Sequence, residues 1–201
     1  MRSGFSILRN AAALCACVLL LAAPCSRSAE DKPLTAILLV ARTELPDSDF
    51  AGSVVLAMNH LGIAPTGIIL NRPTRVAVAE LFSDLKAIAR LHDKVYFGGP
   101  VEPMSIWFLF RAAKPPHRAI RAFDDVFLSG DRDLLLQLLG RDKPMGDLRI
   151  YVGHAGWAPG QLEAEIDRGD WTLKRAYADA IFNGKSDRPW PAPQIAPPPT
   201  I

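Results

Sequence analysis

The stretch Val152–Trp171, reading VGHAGWAPGQLEAEIDRGDW, decides how the rest of this chain is read. Its glycines at 153, 156 and 160 mark places where the backbone takes a positive φ or approaches a neighbour closely, so tight turning is expected. Pro159 suits the first turn of a helix, which the spacing predicts over Gly160–Asp167. Trp157 and Trp171 are each large enough to anchor that helix by burying a ring. Gln161 and Glu163 fall near its start, where the helix dipole favours a carboxylate and side chains cap free amides. The junction also has a functional reading, in which the turn before the helix presents backbone N–H groups to an anionic ligand.

Working outward, Leu148–Val152 (LRIYV) reads as the strand that enters this turn, and apolar runs upstream supply further strands. Leu34–Ala41 suits a buried strand, and Gly52–Met58 with Thr66–Leu70 a pair joined by a turn-rich loop. Val95–Phe97, Ile106–Phe110, Ala119–Phe123 and Val126–Leu128 continue the pattern. Apolar residues at 78, 81, 82, 85, 88, 89 and 91 follow helical spacing, so a helix is expected over Val76–His92. A second is expected over Leu134–Leu139, capped by Asp131 and ended by Gly140. Strands outnumber helices, and only some connections contain helices. The expected fold is therefore α/β bordering on α+β, a single compact domain over 33–183 with a mixed, largely antiparallel sheet flanked by helices.

Residues outside that domain read differently. Arg2 and Arg9 precede an apolar run of about 14 residues that ends at Pro24, short of the roughly 20 needed to span a bilayer as a helix. Residues 1–28 are thus expected to be a signal peptide, cleaved after Ser28, leaving a periplasmic or secreted protein whose only membrane association is through the leader. Retention as a membrane anchor, lipidation at Cys25 despite Pro24, and a mis-assigned start with a cytoplasmic product remain alternatives. All three cysteines (Cys15, Cys17, Cys25) lie in the leader, so the mature chain would have no disulfide, thiolate nucleophile or cysteine-ligated metal. Residues 184–201 hold six prolines and little to bury, and are expected to be a disordered or polyproline-II tail.

The chain carries 23 Lys and Arg against 21 Asp and Glu; removing Arg2, Arg9 and Arg27 with the leader leaves 20 against 21. A near-neutral mature chain lacks the basic excess of nucleic-acid binders, and no nucleic-acid partner is expected if it is exported. Gly-x-Ser-x-Gly, Walker and dinucleotide motifs do not occur. No cofactor is expected, and no metal, since the histidines lack ligand spacing.

Four segments taken in order carry a family signature: Phe50–Val54 (FAGSV); His60 followed by Gly67–Pro73 (GIILNRP); Gly98–Val101 (GGPV); and the opening stretch. Together they resemble the YqgE/AlgH family, a widespread bacterial group often labelled as putative transcriptional regulators and without an established biochemical activity. Three positions depart from the family pattern: Asn59 stands where many members have Glu, Phe110 where many have His, and His154 where Tyr is common. The resemblance together with the residue chemistry suggests a ligand-binding set of His60, Asn71, Arg72, Gly98, Gly99, Trp157, Gln161 and Glu163. His60 and Asn71 each end a strand, and an imidazole beside an amide binds a ligand or exchanges a proton near neutral pH.

Two main functions follow. One is a non-enzymatic binding or regulatory protein of the cell envelope that holds a small polar molecule or a protein partner. The other is a hydrolase or transferase using His60 with Glu163 or Asp131. A transcription-related role applies only if the leader is unused. Intact mass of the protein isolated from its native host, compartment by compartment, should give a chain beginning at Ala29; a full-length cytoplasmic product would overturn export.

Overall fold

The computed structural model describes residues 36–42, 50–58, 64–89 and 91–182, all within one unit, Lys32–Ile201. The leader, His60 and the proline-rich tail lie outside the described residues. Ten strands form one curled, largely antiparallel sheet. In chain order they are β1 (Ile37–Ala41), β2 (Val54–Met58), β3 (Thr66–Ile69), β4 (Pro73–Ala77), β5 (Lys94–Phe97), β6 (Val101–Arg111), β7 (Ile120–Phe123), β8 (Val126–Ser129), β9 (Leu148–Gly156) and β10 (Trp171–Arg175). The main path runs β10-β1-β2-β3-β9-β6-β8-β7, with β5 lying parallel to β9 and pairing β4.

Alternation along the strands explains three apolar clusters. In β2 the side chains of Val54, Leu56 and Met58 enter one cluster, and those of Val55 and Ala57 enter the cluster on the opposite face. In β6, Leu109 joins the first cluster, while Phe108 and Phe110 face a third. The first cluster therefore collects residues from both halves of the curled sheet. Strand β9 contributes to all three, through Tyr151, through Leu148 and Ile150, and through Ala155. Burial pushes the Tyr151 phenol pKa far above its ordinary value. Complete burial of each Leu, Ile or Phe contributes about 1.5–3 kcal/mol, so a strand facing three clusters is a major source of stability.

Helices are few and short: α1 (Val78–Leu81), α2 (Arg132–Leu139), α3 (Gln161–Asp167) and α4 (Ala178–Phe182). Asp131 caps α2 as expected, accepting the Leu134 N–H at 2.9 Å, with Gly140 at the C-terminal end. The long helix expected over Val76–His92 is not formed. Residues 73–77 are strand, α1 lasts one turn, and a 3-10 turn covers Lys86–Ile88. Glu80 accepts the Ala77 N–H at 3.3 Å and starts α1, but Ser83 and Asp84 interrupt it. Two separate turns still bring Val78, Phe82 and Ile88 into one cluster, so the helical spacing of apolar residues is real although the continuous helix is not. The observed fold is more sheet-dominated than an α/β label implies.

At one point the sheet depends on backbone alone. Gly98 donates its N–H to the Val152 carbonyl at 2.8 Å, and its own carbonyl accepts the Ile69 N–H at 2.8 Å, so it ties β9 to β3. A Cβ on Gly99, at φ +147°, would lie 2.2 Å from the His154 carbonyl carbon; one on Gly153, at φ +69°, would lie 2.2 Å from the Gly99 oxygen. Neither clash can be relieved by turning a side chain, because both are with backbone atoms. Gly99→Ala should destabilise the protein by about 3 kcal/mol or prevent folding, whereas Gly146→Ala, which meets nothing within 4 Å, should change stability by less than about 0.5 kcal/mol. Urea unfolding of both variants checks this, and equal midpoints would refute the interlock.

Candidate functional site

The family-like segments meet in two places, and the first is a turn. Phe50–Ser53 closes through the Ser53 N–H donating to the Phe50 carbonyl at 2.9 Å, with Gly52 at φ +66°. Asn71, two residues beyond β3, clamps it: its Oδ1 accepts the Val54 N–H at 2.9 Å, and its Nδ2 donates to the Gly52 carbonyl at 3.0 Å. Arg72 donates to the Ala51 carbonyl at 3.3 Å. Inside the clamp the Ser53 hydroxyl is completely buried and has no hydrogen-bond partner.

Aromatic packing covers the same turn. Phe50 stacks on Trp157 at 6.4 Å and meets Trp171 edge-on at 6.0 Å, while the two indoles lie edge to face at 6.1 Å. Both indole N–H groups converge on one carboxylate, donating to Glu165 Oε2 at 2.9 Å from Trp157 and 2.8 Å from Trp171. Gln161 Nε2 donates to the other oxygen of Glu165 at 2.8 Å, and Gln161 Oε1 accepts the Ala158 N–H at 2.9 Å. Glu165 was not among the sequence-derived candidates. Its signal was the one-turn spacing from Gln161, which puts residues 161 and 165 on the same helix face.

The second meeting place is the Gly98–Gly99 and Gly153 interlock, from which a bulge projects. Val101 pairs with His154 and Ile106 with Val152, so four residues of β6, Glu102 to Ser105, stand opposite the single Gly153. Glu102 takes φ +46°, and Pro103 stiffens the next bond. Met104 is 84% exposed and Val101 38%. Beneath the bulge, Ser105 Oγ donates to the Glu102 carbonyl at 2.8 Å and accepts the Trp107 indole N–H at 3.1 Å. His154 lies edge-on to Trp107 at 6.1 Å, and its buried Nδ1 has no partner.

The structure thus brings Gly98 and Gly99 to the bulge, Asn71 and Arg72 to the turn, and Trp157 and Gln161 to Glu165. Glu163 is exposed in the first turn of α3. His60 and Asn59 lie outside the described residues, so the proposed His60 pairing with an acid has no geometry here. Of its two acids, Asp131 is held as a helix cap and by Arg118 at 3.0 Å, and the Leu134 amide bond is the main cause holding its pKa below the ordinary carboxylate value. Phe110 is buried among Phe108 and Phe127. His92 and His117 are exposed. Among the described residues no group of three His, Cys, Asp or Glu side chains is arranged to hold a metal ion.

Comparison with known proteins accords with these convergences. A family model described as AlgH-like matches residues 38–193. A UPF0301 protein of Anaeromyxobacter dehalogenans is 35% identical over 162 residues, covering 76% of this chain and 82% of that one. A UPF0301 protein of Chlorobium limicola is 33% identical, covering 80% and 84%. In structure, the AlgH protein of Pseudomonas aeruginosa superposes with a TM-score of 0.61 at 25% identity, over 76% of this chain and 82% of that chain. A protein of Corynebacterium diphtheriae gives 0.58 at 27%, over 75% and 80%.

Replacing Glu165 tests the indole staple. Glu165→Ala leaves two largely buried indole donors without their acceptor, and should cost about 3 kcal/mol, or roughly 10 °C in Tm. Glu165→Gln keeps one acceptor oxygen and should recover about half. Thermal melts followed by tryptophan fluorescence measure both, and an unchanged Tm in Glu165→Ala would refute the staple.

Proposed function

Because the chain belongs to the AlgH-like family, in which no biochemical activity is established, its own surface must supply the functional argument, and we propose a non-enzymatic binding or regulatory protein of the cell envelope that engages a protein partner. The observation that carries this reading is the Glu102–Ser105 bulge. It holds a large apolar side chain, Met104, almost wholly in solvent, and Val101 at its start is also exposed. Methionine is enriched at protein interfaces, and a loop stiffened by proline loses less freedom on binding. A projection calls for a concave partner surface, whereas a small polar ligand needs a concavity on this chain. That geometry favours a protein partner over a small molecule.

The motif residues fit the same picture. Trp157 and Gln161 bind Glu165, and Asn71 binds the backbone of the Gly52–Val54 turn, which makes these parts of the fold rigid. Placement in the envelope rests on Arg2, Arg9 and the apolar run after them. The balanced charge of the chain without its leader agrees with a contact made by shape and apolar area more than by long-range steering.

A photo-crosslinking amino acid placed at position 104 in the native host tests the contact, with the same probe at exposed Ser83 as the control. The expected result is a discrete adduct of higher mass from position 104 and none from 83. No adduct at 104, or identical adducts at both positions, would overturn the docking reading.

A further inference from the structure

Three methionines lie in the described residues, and their environments differ sharply. Met58 and Met145 are buried, at 1% and 8% exposure, while Met104 stands at 84%. Met58 sits in β2 within the cluster shared by both halves of the sheet, and Met145 within the cluster beneath α2. Met104 is held outward by the positive φ of Glu102, the fixed φ of Pro103, and the Ser105 hydroxyl bonded to the Glu102 carbonyl. Folding in the bulge would require breaking that local arrangement, so its thioether is exposed as a consequence of backbone geometry, not of a loose side chain.

We infer that Met104 is a reversible oxidation site, taking a two-electron oxidant of the peroxide or hypohalous acid class. The sulfur lone pair attacks one peroxide oxygen, an S–O bond forms, the O–O bond breaks, and the departing oxygen leaves as water after proton transfer. Sulfur is oxidised by two electrons and the peroxide is reduced by two, giving methionine sulfoxide; methionine sulfoxide reductases return it to the thioether with two electrons from a thiol reductant, which ends as a disulfide, and the oxygen leaves as water. The product is a polar, chiral group in place of the exposed apolar side chain of the bulge. Its effect on partner binding rests on the docking reading above, but the oxidation itself does not.

Because the buried methionines require opening of the core before an oxidant reaches them, the site is read by rate. The full chain is treated with limiting hydrogen peroxide, and peptides containing residues 58, 104 and 145 are quantified by mass spectrometry over time. Met104 should gain one oxygen at least about tenfold faster than Met58 or Met145. Singly oxidised protein should melt within about 2 °C of the untreated protein and elute earlier in hydrophobic-interaction chromatography. Met104→Leu should abolish the fast phase and leave the slow ones unchanged. Comparable rates at all three positions, or Met104 surviving while free methionine in the same tube is consumed, would overturn the site. If the fast phase occurs yet the crosslink at position 104 fails, the modification stands and the docking reading falls.

Discussion

Everything in this domain is organised around a backbone contact that only glycine permits. Gly98 and Gly99 pass so close to Gly153 and His154 that a single added methyl on Gly99 or Gly153 would sit inside another residue's carbonyl. The contact sets where β9 stops pairing with β5 and β6 and begins pairing with β3, at Gly67 and Thr66. Since β9 faces all three apolar clusters, its position fixes which residues of the neighbouring strands can be buried. One close approach therefore links local conformation to the packing of the whole unit.

The indole staple performs a comparable task with side chains. Three donors converge on Glu165, and two of them belong to tryptophans that pack on Phe50. The turn following the first strand is thereby fastened to α3 and to β10, while Asn71, two residues beyond β3, holds it from the other side. Segments far apart in sequence share a motif because they share these contacts. A signature held together this way can identify a fold without identifying a reaction, since Asn71, Trp157 and Gln161 direct their polar groups to structural bonds at the turn and the staple, while the buried Ser53 hydroxyl and His154 Nδ1 have no partner.

Strands were legible in the sequence because their apolar runs are short and bounded by turn residues, and β1, β2, β3, β8 and the Asp131-capped helix lie close to where they were expected. The 76–92 region was misread because apolar spacing reports which side chains share a face, and two short turns satisfy it as well as a continuous helix. Strands β4 and β10 were illegible for the opposite reason. In β10 only Trp171 is buried and Leu173 is exposed, so WTLKR is a short segment with a single core residue, and its strand character comes from pairing with β1. Gly98, Gly99, Asn71, Trp157 and Gln161 stood out from their motifs as ligand-binding candidates, but the structural partners they have were not legible. Glu165 was overlooked in favour of Glu163, although one helical turn from Gln161 leads to 165.

The bulge is where local preference and stability diverge. A regular β6 would pair continuously with β9, avoid a positive φ at Glu102 and turn Met104 away from water or replace it with a polar residue. None of these simplifications is made, although Pro103 and the Ser105 bond show that the bulge is held in one conformation and not merely tolerated. The Met104 side chain adds little to the core beneath the bulge, because it is 84% exposed. The glycine interlock at its base, where Gly99 and Gly153 meet, fixes the point at which the bulge leaves the pairing of β6 with β9.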